Sequence, residues 1–70
     1  MTELEFLELF SKNLKRMMKE DNMTQEDLAE EIGVSRTMVS RYITGQCLPS
    51  TMTLIKISEA LCCTLDDLIS

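Results

Sequence analysis

The sequence predicts an all-α fold, and three observations support that prediction. Apolar residues recur at intervals of three and four, which places them on one face of an α-helix. Hydroxyl residues suited to helix N-caps precede the apolar segments. No stretch of useful length alternates apolar and polar residues with period two, so strands are not predicted. At 70 residues, 44% of them apolar, the chain has room for one small core.

The first predicted helix covers residues 3–20. One face of this segment carries four apolar residues at helical spacing: Leu7, Phe10, Leu14 and Met17. Thr2 and Glu5 have the spacing of a capping box, in which each residue binds the backbone N–H of the other. Asn22 is a suitable residue for a left-handed backbone position at the end of the helix.

A second, shorter helix is predicted to begin after Thr24, because Thr24 and Asp27 repeat the capping arrangement. The apolar pattern of this helix ends at Ile32, and residues 33–35 then form a tight turn that begins with a glycine. The last residue of the turn, Ser35, is a favourable N-cap for a third helix.

The third helix is expected to run to about Thr44 and to stop at Gly45. Pro49 and Ser50 introduce a fourth helix, whose apolar residues are Leu54, Ile55, Ile57 and Leu61. Thr64 then starts a last short helix with Leu65, Leu68 and Ile69. No repeat or linker interrupts the series, so the chain is interpreted as one domain spanning residues 1–70.

The charge of the chain is acidic overall but positive in the middle. The net charge is −5, from 7 Lys and Arg against 12 Asp and Glu. Residues 1–31 carry nine of the acids, whereas residues 32–58 carry none and hold three bases. The composition therefore excludes a generally basic coat, while a polyanion responds to the local field of the middle segment.

The composition argues against an enzyme. The chain contains no histidine, the side chain that most often serves as general base or metal ligand at neutral pH. No nucleophile–base pair or metal-ligand cluster can be assembled, so no cofactor and no small-molecule substrate are expected. Three cysteines, Cys47, Cys62 and Cys63, lack the C-x-x-C spacing of zinc or redox sites. We interpret them as small fillers, with redox or metal sensing as the alternative.

The chain is expected to be cytoplasmic. It opens with no secretory signal, and no apolar run approaches the ~20 residues that a membrane-spanning helix requires. The cysteines are therefore expected to be reduced.

The third helix carries the most informative pattern. At about 100° per residue, four polar residues fall within an arc of about 140°: Arg36, Thr37, Ser40 and Arg41. The other half of the helix is apolar, and the helix contains no carboxylate. Arginine can donate two hydrogen bonds to guanine O6 and N7, and threonine can contact the thymine methyl group or a base edge. The pattern therefore favours nucleic-acid binding.

The run from Thr24 to Ser35, TQEDLAEEIGVS, resembles the lambda-repressor-like (Xre/Cro-type) helix-turn-helix family. Further matches to the family pattern are VSR at 39–41, PS at 49–50 and LDDL at 65–68. The resemblance covers about residues 10–69. It implies a compact five-helix bundle with its helix-turn-helix unit at about residues 24–44. It also implies a sequence-specific transcriptional regulator, expected to be a repressor.

The resemblance also implies which residues contact DNA. The base-reading positions correspond to Arg36, Thr37 and Arg41, and Ser40 lies between them on the same arc. Gln25, at the start of the second helix, corresponds to a phosphate contact. Ser35 and Gln46 are the other expected phosphate contacts, and for Arg36 a phosphate is the alternative target to a base.

The expected partner is double-stranded DNA with an inverted repeat, bound by a weak homodimer. The dimer contact is expected near Leu65, Leu68 and Ile69. The alternative is a protein-interaction module of the same fold, such as an antitoxin-like or anti-repressor partner. In that case the face around Arg36 and Arg41 would recognise an acidic protein surface.

Two further features have open interpretations. Lys12, Lys15, Arg16 and Lys19 share one face of the first helix, where they could contact phosphate, although we favour ion pairs with nearby acids and the helix C-terminus. The second feature is a departure from the family, many members of which have arginine and glutamate at the positions of Met18 and Ile43. Here both residues are apolar and are expected to touch.

Cys62 and Cys63 are a further departure, because relatives often have glycine followed by an apolar residue at these positions. The resemblance places Cys62 just past a helix end with a positive φ and predicts that Cys63 is buried.

Overall fold

The computed structural model describes residues 1–70 and is entirely helical, as predicted. The five helices are α1 (Glu3–Glu20), α2 (Gln25–Ile32), α3 (Arg36–Ile43), α4 (Thr51–Ala60) and α5 (Leu65–Ile69). They pack into a body of about 30 × 21 × 21 Å. None of the helices is both long enough and apolar enough to cross a membrane.

Every helix begins at a hydroxyl residue whose side chain accepts a hydrogen bond from the first turn. These N-caps are Thr2, Thr24, Ser35, Ser50 and Thr64. The capping boxes predicted at the starts of α1 and α2 are both formed, and α5 has a third, between Thr64 and Asp67. The caps satisfy backbone N–H groups that have no partner inside the helix, so they define where each helix begins.

Left-handed backbone positions follow the first four helices, and after α3 this position is Gly45, with φ 75°. Gly33 ends α2 with φ 72°, and its N–H donates to the carbonyl oxygen of Ala29 at 2.9 Å. Asn22 and Cys62, both predicted to have positive φ, have values of 53° and 52° after α1 and α4. The turn at Gly33 places α3 directly after α2, which is the geometry of a helix-turn-helix.

The core contains buried apolar residues from all five helices. Its largest fully buried side chains are Phe10, Leu14, Leu28, Val39, Ile57 and Leu68. Helix α1 packs against α3 and α5, while α2 packs against α3 and α4. Helix α3 is therefore supported from two sides, which fixes the direction of its outer face.

Two predictions about the C-terminal region are wrong in detail. Leu68 is fully buried, because α5 packs onto α1 with this residue inward, so Leu68 cannot belong to a dimer surface. Cys63 is half-buried rather than buried, because it lies at the rim of the core beside Leu61 and Asp67. Leu65 remains exposed and Ile69 half-buried.

A buried asparagine in the middle of α1 holds the C-terminal end of α5. Asn13 on α1 donates hydrogen bonds to the carbonyl oxygens of Leu68 at 3.0 Å and Ser70 at 3.3 Å. Carbonyl groups in the last turn of a helix lack intrahelical partners, so this side chain satisfies the end of α5. A buried polar group without such partners would be destabilising.

Candidate nucleic-acid interface

Helix α3 presents its polar arc to solvent. Val39 and Tyr42 are buried on its inner side, which anchors the helix to the core. Arg36, Thr37 and Arg41 are exposed on the outer side. The structure therefore brings the predicted base-reading residues onto one accessible surface, with Ser40 half-buried at its edge.

The two arginines of α3 differ in their surroundings. Arg36 Nη1 lies 3.9 Å from Oε1 of Glu26, in the first turn of α2. Arg41 has no carboxylate within ion-pair distance and lies in the last turn of α3. A positive charge there also complements the helix dipole. Arg41 is therefore the arginine whose guanidinium has no competing partner in the chain.

Gln25 lies between Arg36 and two lysines of α1. It is the first residue of α2 and half-buried. It borders one shallow depression with Glu26 and Arg36, and a second with Lys15 and Lys19. The side-chain amide of Gln25 therefore has cationic side chains on two sides.

Acidic side chains already offset part of the positive end of the α2 helix dipole. Asp27 N–H donates to Thr24 Oγ1 at 3.1 Å, and Thr24 N–H donates to Asp27 Oδ2 at 3.0 Å. The backbone hydrogen bond from Thr24, followed by the contact with its side chain, lowers the pKa of Asp27 below its ordinary range. Glu26 and Asp27 both place negative charge at the positive end of the helix, so the start of α2 attracts an anion less than a helix start without acids would.

The basic face of α1 is only partly paired. Lys12, Lys15, Arg16 and Lys19 are all exposed. Arg16 binds Glu20 at 3.1 Å, and no other residue of this face makes an ion pair. The favoured interpretation of pairing with nearby acids therefore holds for Arg16 alone. Helical spacing indicated a shared face, but only the packing of α1 beside α2 shows that Lys15 and Lys19 border Gln25.

The remaining two predicted contacts flank α3. Ser35 is exposed, and its hydroxyl accepts from the N–H of Met38 at 3.2 Å, so its side chain is already used as a cap. Gln46 is exposed beyond the other end of α3, and its N–H donates to the carbonyl oxygen of Arg41 at 2.9 Å. Gln25 and Gln46 thus lie near opposite ends of the outer face of α3.

Sequence reasoning did not identify Glu26 as part of this surface. Its approach to Arg36 joins residues on two helices across the turn, and no local spacing reveals such a contact. Met18 and Ile43, expected to touch, border the same depression as Gln25, with Met18 in the core and Ile43 packed against the core. No cluster of three or more metal-binding side chains is formed.

Comparison with known proteins decides the family of this chain. A family model described as helix-turn-helix, HTH_3, matches residues 14–68. The chain belongs to this helix-turn-helix family. The predicted resemblance is thereby confirmed, and the family consists of DNA-binding transcriptional regulators. This membership agrees with the prediction that the chain is not an enzyme.

Three curated relatives are similar over most of this helix-turn-helix chain. They are an uncharacterized HTH-type transcriptional regulator, YqaE, from Bacillus subtilis (38% identical over 61 residues), the cryptic phage CTXphi transcriptional repressor RstR from Vibrio cholerae (40% over 55), and the HTH-type transcriptional activator BcrR from Enterococcus faecalis (38% over 61). These matches cover 87%, 79% and 87% of this chain. The chain spans only 53%, 49% and 30% of the relatives' own lengths.

A solved structure has the same fold as this helix-turn-helix chain. The restriction-modification controller protein C.AhdI from Aeromonas hydrophila superposes with a TM-score of 0.83 at 27% sequence identity. The superposition covers 89% of this chain and 94% of C.AhdI. The compact five-helix fold that the resemblance implied is therefore confirmed.

Proposed function

We propose that residues 1–70 act as a single unit that binds double-stranded DNA sequence-specifically and regulates transcription. In this proposal α3 enters the major groove. The observation that carries it is the outer face of α3, where Arg36, Thr37 and Arg41 are exposed on a helix without a carboxylate. The groove is wide enough for an α-helix, and its edges present the acceptors that arginine recognises.

The side chains of the arc suit base edges. Arg41 has no ion pair, so its planar guanidinium can donate two hydrogen bonds to one guanine. Arg36 occupies the first turn of α3, where residues of a recognition helix commonly reach base edges. Thr37 and Ser40 offer hydroxyl groups, and the threonine methyl group can contact thymine.

Phosphate contacts hold the register of the complex in this proposal. Gln25 and Gln46, near the two ends of α3, each donate to the backbone of DNA, and Ser35 contributes beside its capping bond. Lys15 and Lys19 extend the same edge, because they border Gln25 and have no carboxylate partner. Such contacts position a protein on DNA without reading its sequence.

Repression is the proposed outcome of binding. It is supported by the likeness to RstR, which is named a transcriptional repressor, and a bound domain can block access to a promoter. BcrR, of similar identity, is named an activator. Transcription in vitro from a promoter that overlaps the bound site tests the direction: reduced transcript supports repression, and increased transcript supports activation.

A weak homodimer on an inverted repeat completes the proposal. Leu65 at the start of α5 is 43% exposed, and Ile55 on the neighbouring α4 is 37% exposed. In this proposal a second copy covers these exposed apolar side chains of α4 and α5. The dimer surface proposed here contains Leu65 and Ile55 and excludes the buried Leu68.

Salt-dependent binding to DNA tests the main proposal. The affinity for a random duplex, followed by fluorescence anisotropy from about 50 to about 200 mM salt, should fall steeply as counterions return to the phosphates. Selection from a random duplex pool should then yield a consensus. Absence of duplex binding at low salt, together with binding to an acidic protein surface, would support the protein-interaction alternative instead.

Two substitutions separate base reading from phosphate contact. Arg41→Ala should cost roughly 1–3 kcal/mol of binding free energy and relax the preference at particular base pairs. Gln25→Ala should weaken all sequences about equally, because a phosphate contact carries no sequence information. Selection with each variant measures both effects. An unchanged consensus for Arg41→Ala with an altered one for Gln25→Ala would reverse these roles.

A further inference from the structure

The two helices of the helix-turn-helix are linked by one ion pair. Arg36 Nη1 on α3 lies 3.9 Å from Glu26 Oε1 on α2, and the side chains are 69% and 75% exposed. The other ion pair of the chain, Arg16 with Glu20, lies within α1. The Glu26 carboxylate is therefore the only acid in ion-pair contact with the proposed DNA-reading face.

Stability does not account for this contact, because ion pairs between exposed side chains contribute little to folding. Its consequence concerns the direction of the Arg36 guanidinium instead. We infer that Glu26 is a specificity-determining residue that directs Arg36 toward a base edge and away from a phosphate. This inference rests on the proposed function, since it assigns a role within the same DNA-binding face.

The geometry of the guanidinium allows both contacts at once. Arginine has five N–H donors in a fixed plane. Recognition of guanine O6 and N7 uses two of them, so others remain available on the side of the guanidinium that faces Glu26. The guanine edge is neutral and does not repel the Glu26 carboxylate, so the ion pair can persist while a base is read.

A phosphate bound by Arg36, unlike a guanine edge, would disfavour the ion pair with Glu26. It would place an anion beside Glu26, and the two like charges would repel. Glu26 is also the second residue of α2, where the helix dipole would otherwise attract an anion. Non-specific binding depends on phosphate contacts, so the carboxylate weakens non-specific binding more than it weakens binding to the preferred sequence.

Charge-neutralising variants of α2 test this role. Glu26→Gln removes the charge beside Arg36, whereas Glu31→Gln removes one charge from the other end of the same helix, near Lys56 and Glu59. Both positions are exposed, so both variants should fold, which thermal unfolding verifies. Anisotropy with a duplex containing the selected consensus, and with a scrambled duplex of equal length, gives the specificity ratio of each protein.

Glu26→Gln should strengthen binding to the scrambled duplex more than to the consensus. An exposed charge contact corresponds to at most about fivefold in affinity, so the specificity ratio should fall by up to about fivefold. Glu31→Gln should leave the ratio unchanged. Repeated selection with Glu26→Gln should relax one base position, the one lost in Arg36→Ala, and retain the position read by Arg41.

The decisive comparison is made in the Arg36→Ala protein. Without the guanidinium, adding Glu26→Gln should no longer relax any base position. The inference would be overturned, while the proposed function stood, by either of two results. One is an equal specificity ratio for Glu26→Gln and Glu31→Gln, and the other is the same relaxed base preference in the absence of Arg36. A wild-type chain that prefers no duplex sequence would overturn the proposed function itself.

Discussion

Cys62 occupies a backbone position that favours glycine. It follows α4 with φ 52°, and a side chain in the left-handed region costs about 1 kcal/mol relative to the ordinary helical region. Its side chain is exposed, so little packing compensates for that cost. Asn22 has almost the same φ, 53°, but asparagine tolerates this region better than other residues.

Cys62→Gly is therefore expected to stabilise the fold. The relief of strain, reduced by the greater flexibility of glycine in the unfolded chain, should leave a gain of about 0.5 kcal/mol. Thermal unfolding should show a melting temperature higher by several degrees. Asn22→Gly is the matched control and should gain less. An equal or lower melting temperature for Cys62→Gly would show that the cysteine is not strained.

The bounds of each helix could be predicted from the sequence, because the residues that cap a helix lie close together along the chain. Thr24 and Asp27 are three residues apart, and the hydrogen bonds between them decide where α2 begins. The contacts that build the proposed DNA-binding face are different in kind. Glu26 meets Arg36 across a turn, and Lys15 approaches Gln25 from another helix.

These long-range contacts depend on how the helices pack, which no spacing along the chain reveals. The burial of Leu68 has the same origin. Leu65, Leu68 and Ile69 all look apolar in sequence, and only the docking of α5 on α1 decides that Leu68 turns inward. The outer arc of α3 could be predicted because one helix contains all of it.

The capping box of α2 should make the stability of the fold depend on pH. Hydrogen bonds from Thr24 lower the pKa of Asp27 in the folded chain. A group with a lowered folded pKa stabilises the fold above its unfolded pKa, and the contribution is lost as the pH falls through the folded value. The stability of the native chain should therefore decrease in the acid range, below the ordinary pKa of an aspartate.

Thr24→Ala should weaken this dependence. Loss of the cap should cost about 1 kcal/mol at neutral pH. The pKa of Asp27 should move only part of the way back toward its ordinary value, because the variant loses the side-chain contact of Thr24 but keeps the backbone N–H that lowers this pKa most. Carboxyl titration by NMR and urea unfolding between about pH 2 and about pH 6 measure the two effects, since an unperturbed aspartate titrates near pH 4. Thr51→Ala, at an exposed position beside the N-cap of α4, is the control. An Asp27 pKa equal in native chain and variant would contradict the assignment.

The molecule is acidic as a whole, yet the face proposed to meet DNA is positive. Glu3, Glu5 and Glu8 lie at the start of α1, and Asp66 and Asp67 lie on α5. At physiological ionic strength, exposed charges interact over about 8 Å, whereas the body measures 30 × 21 × 21 Å. Charges on distant faces are screened, so the field that approaching DNA meets comes from Arg36, Arg41 and the lysines of α1, offset in part by Glu26 beside Arg36.

One copy of this fold is too small to recognise a site in a genome. Helix α3 has eight residues and is therefore about 12 Å long, enough to follow only three or four base pairs. Selectivity against the many competing sites of a genome requires more contacts than that. Two copies related by a two-fold axis supply them when the half-sites lie about one helical turn apart on the same side of the duplex.

The proposed dimer should therefore bind an inverted repeat cooperatively, and Leu65→Glu should abolish the cooperativity. A charge on the surface of α5 cannot be buried against a second copy without a large desolvation cost. Leu4→Glu, which charges an exposed leucine on α1, is the control and should bind as the native chain does.

Sedimentation and anisotropy compare a duplex with two half-sites, the same duplex with about half a helical turn inserted between them, and a single half-site. The native chain should prefer the first by the largest margin, and Leu65→Glu should bind all three with the affinity of one half-site. A native chain that binds the single half-site as tightly as the inverted repeat would show that it reads DNA as a monomer.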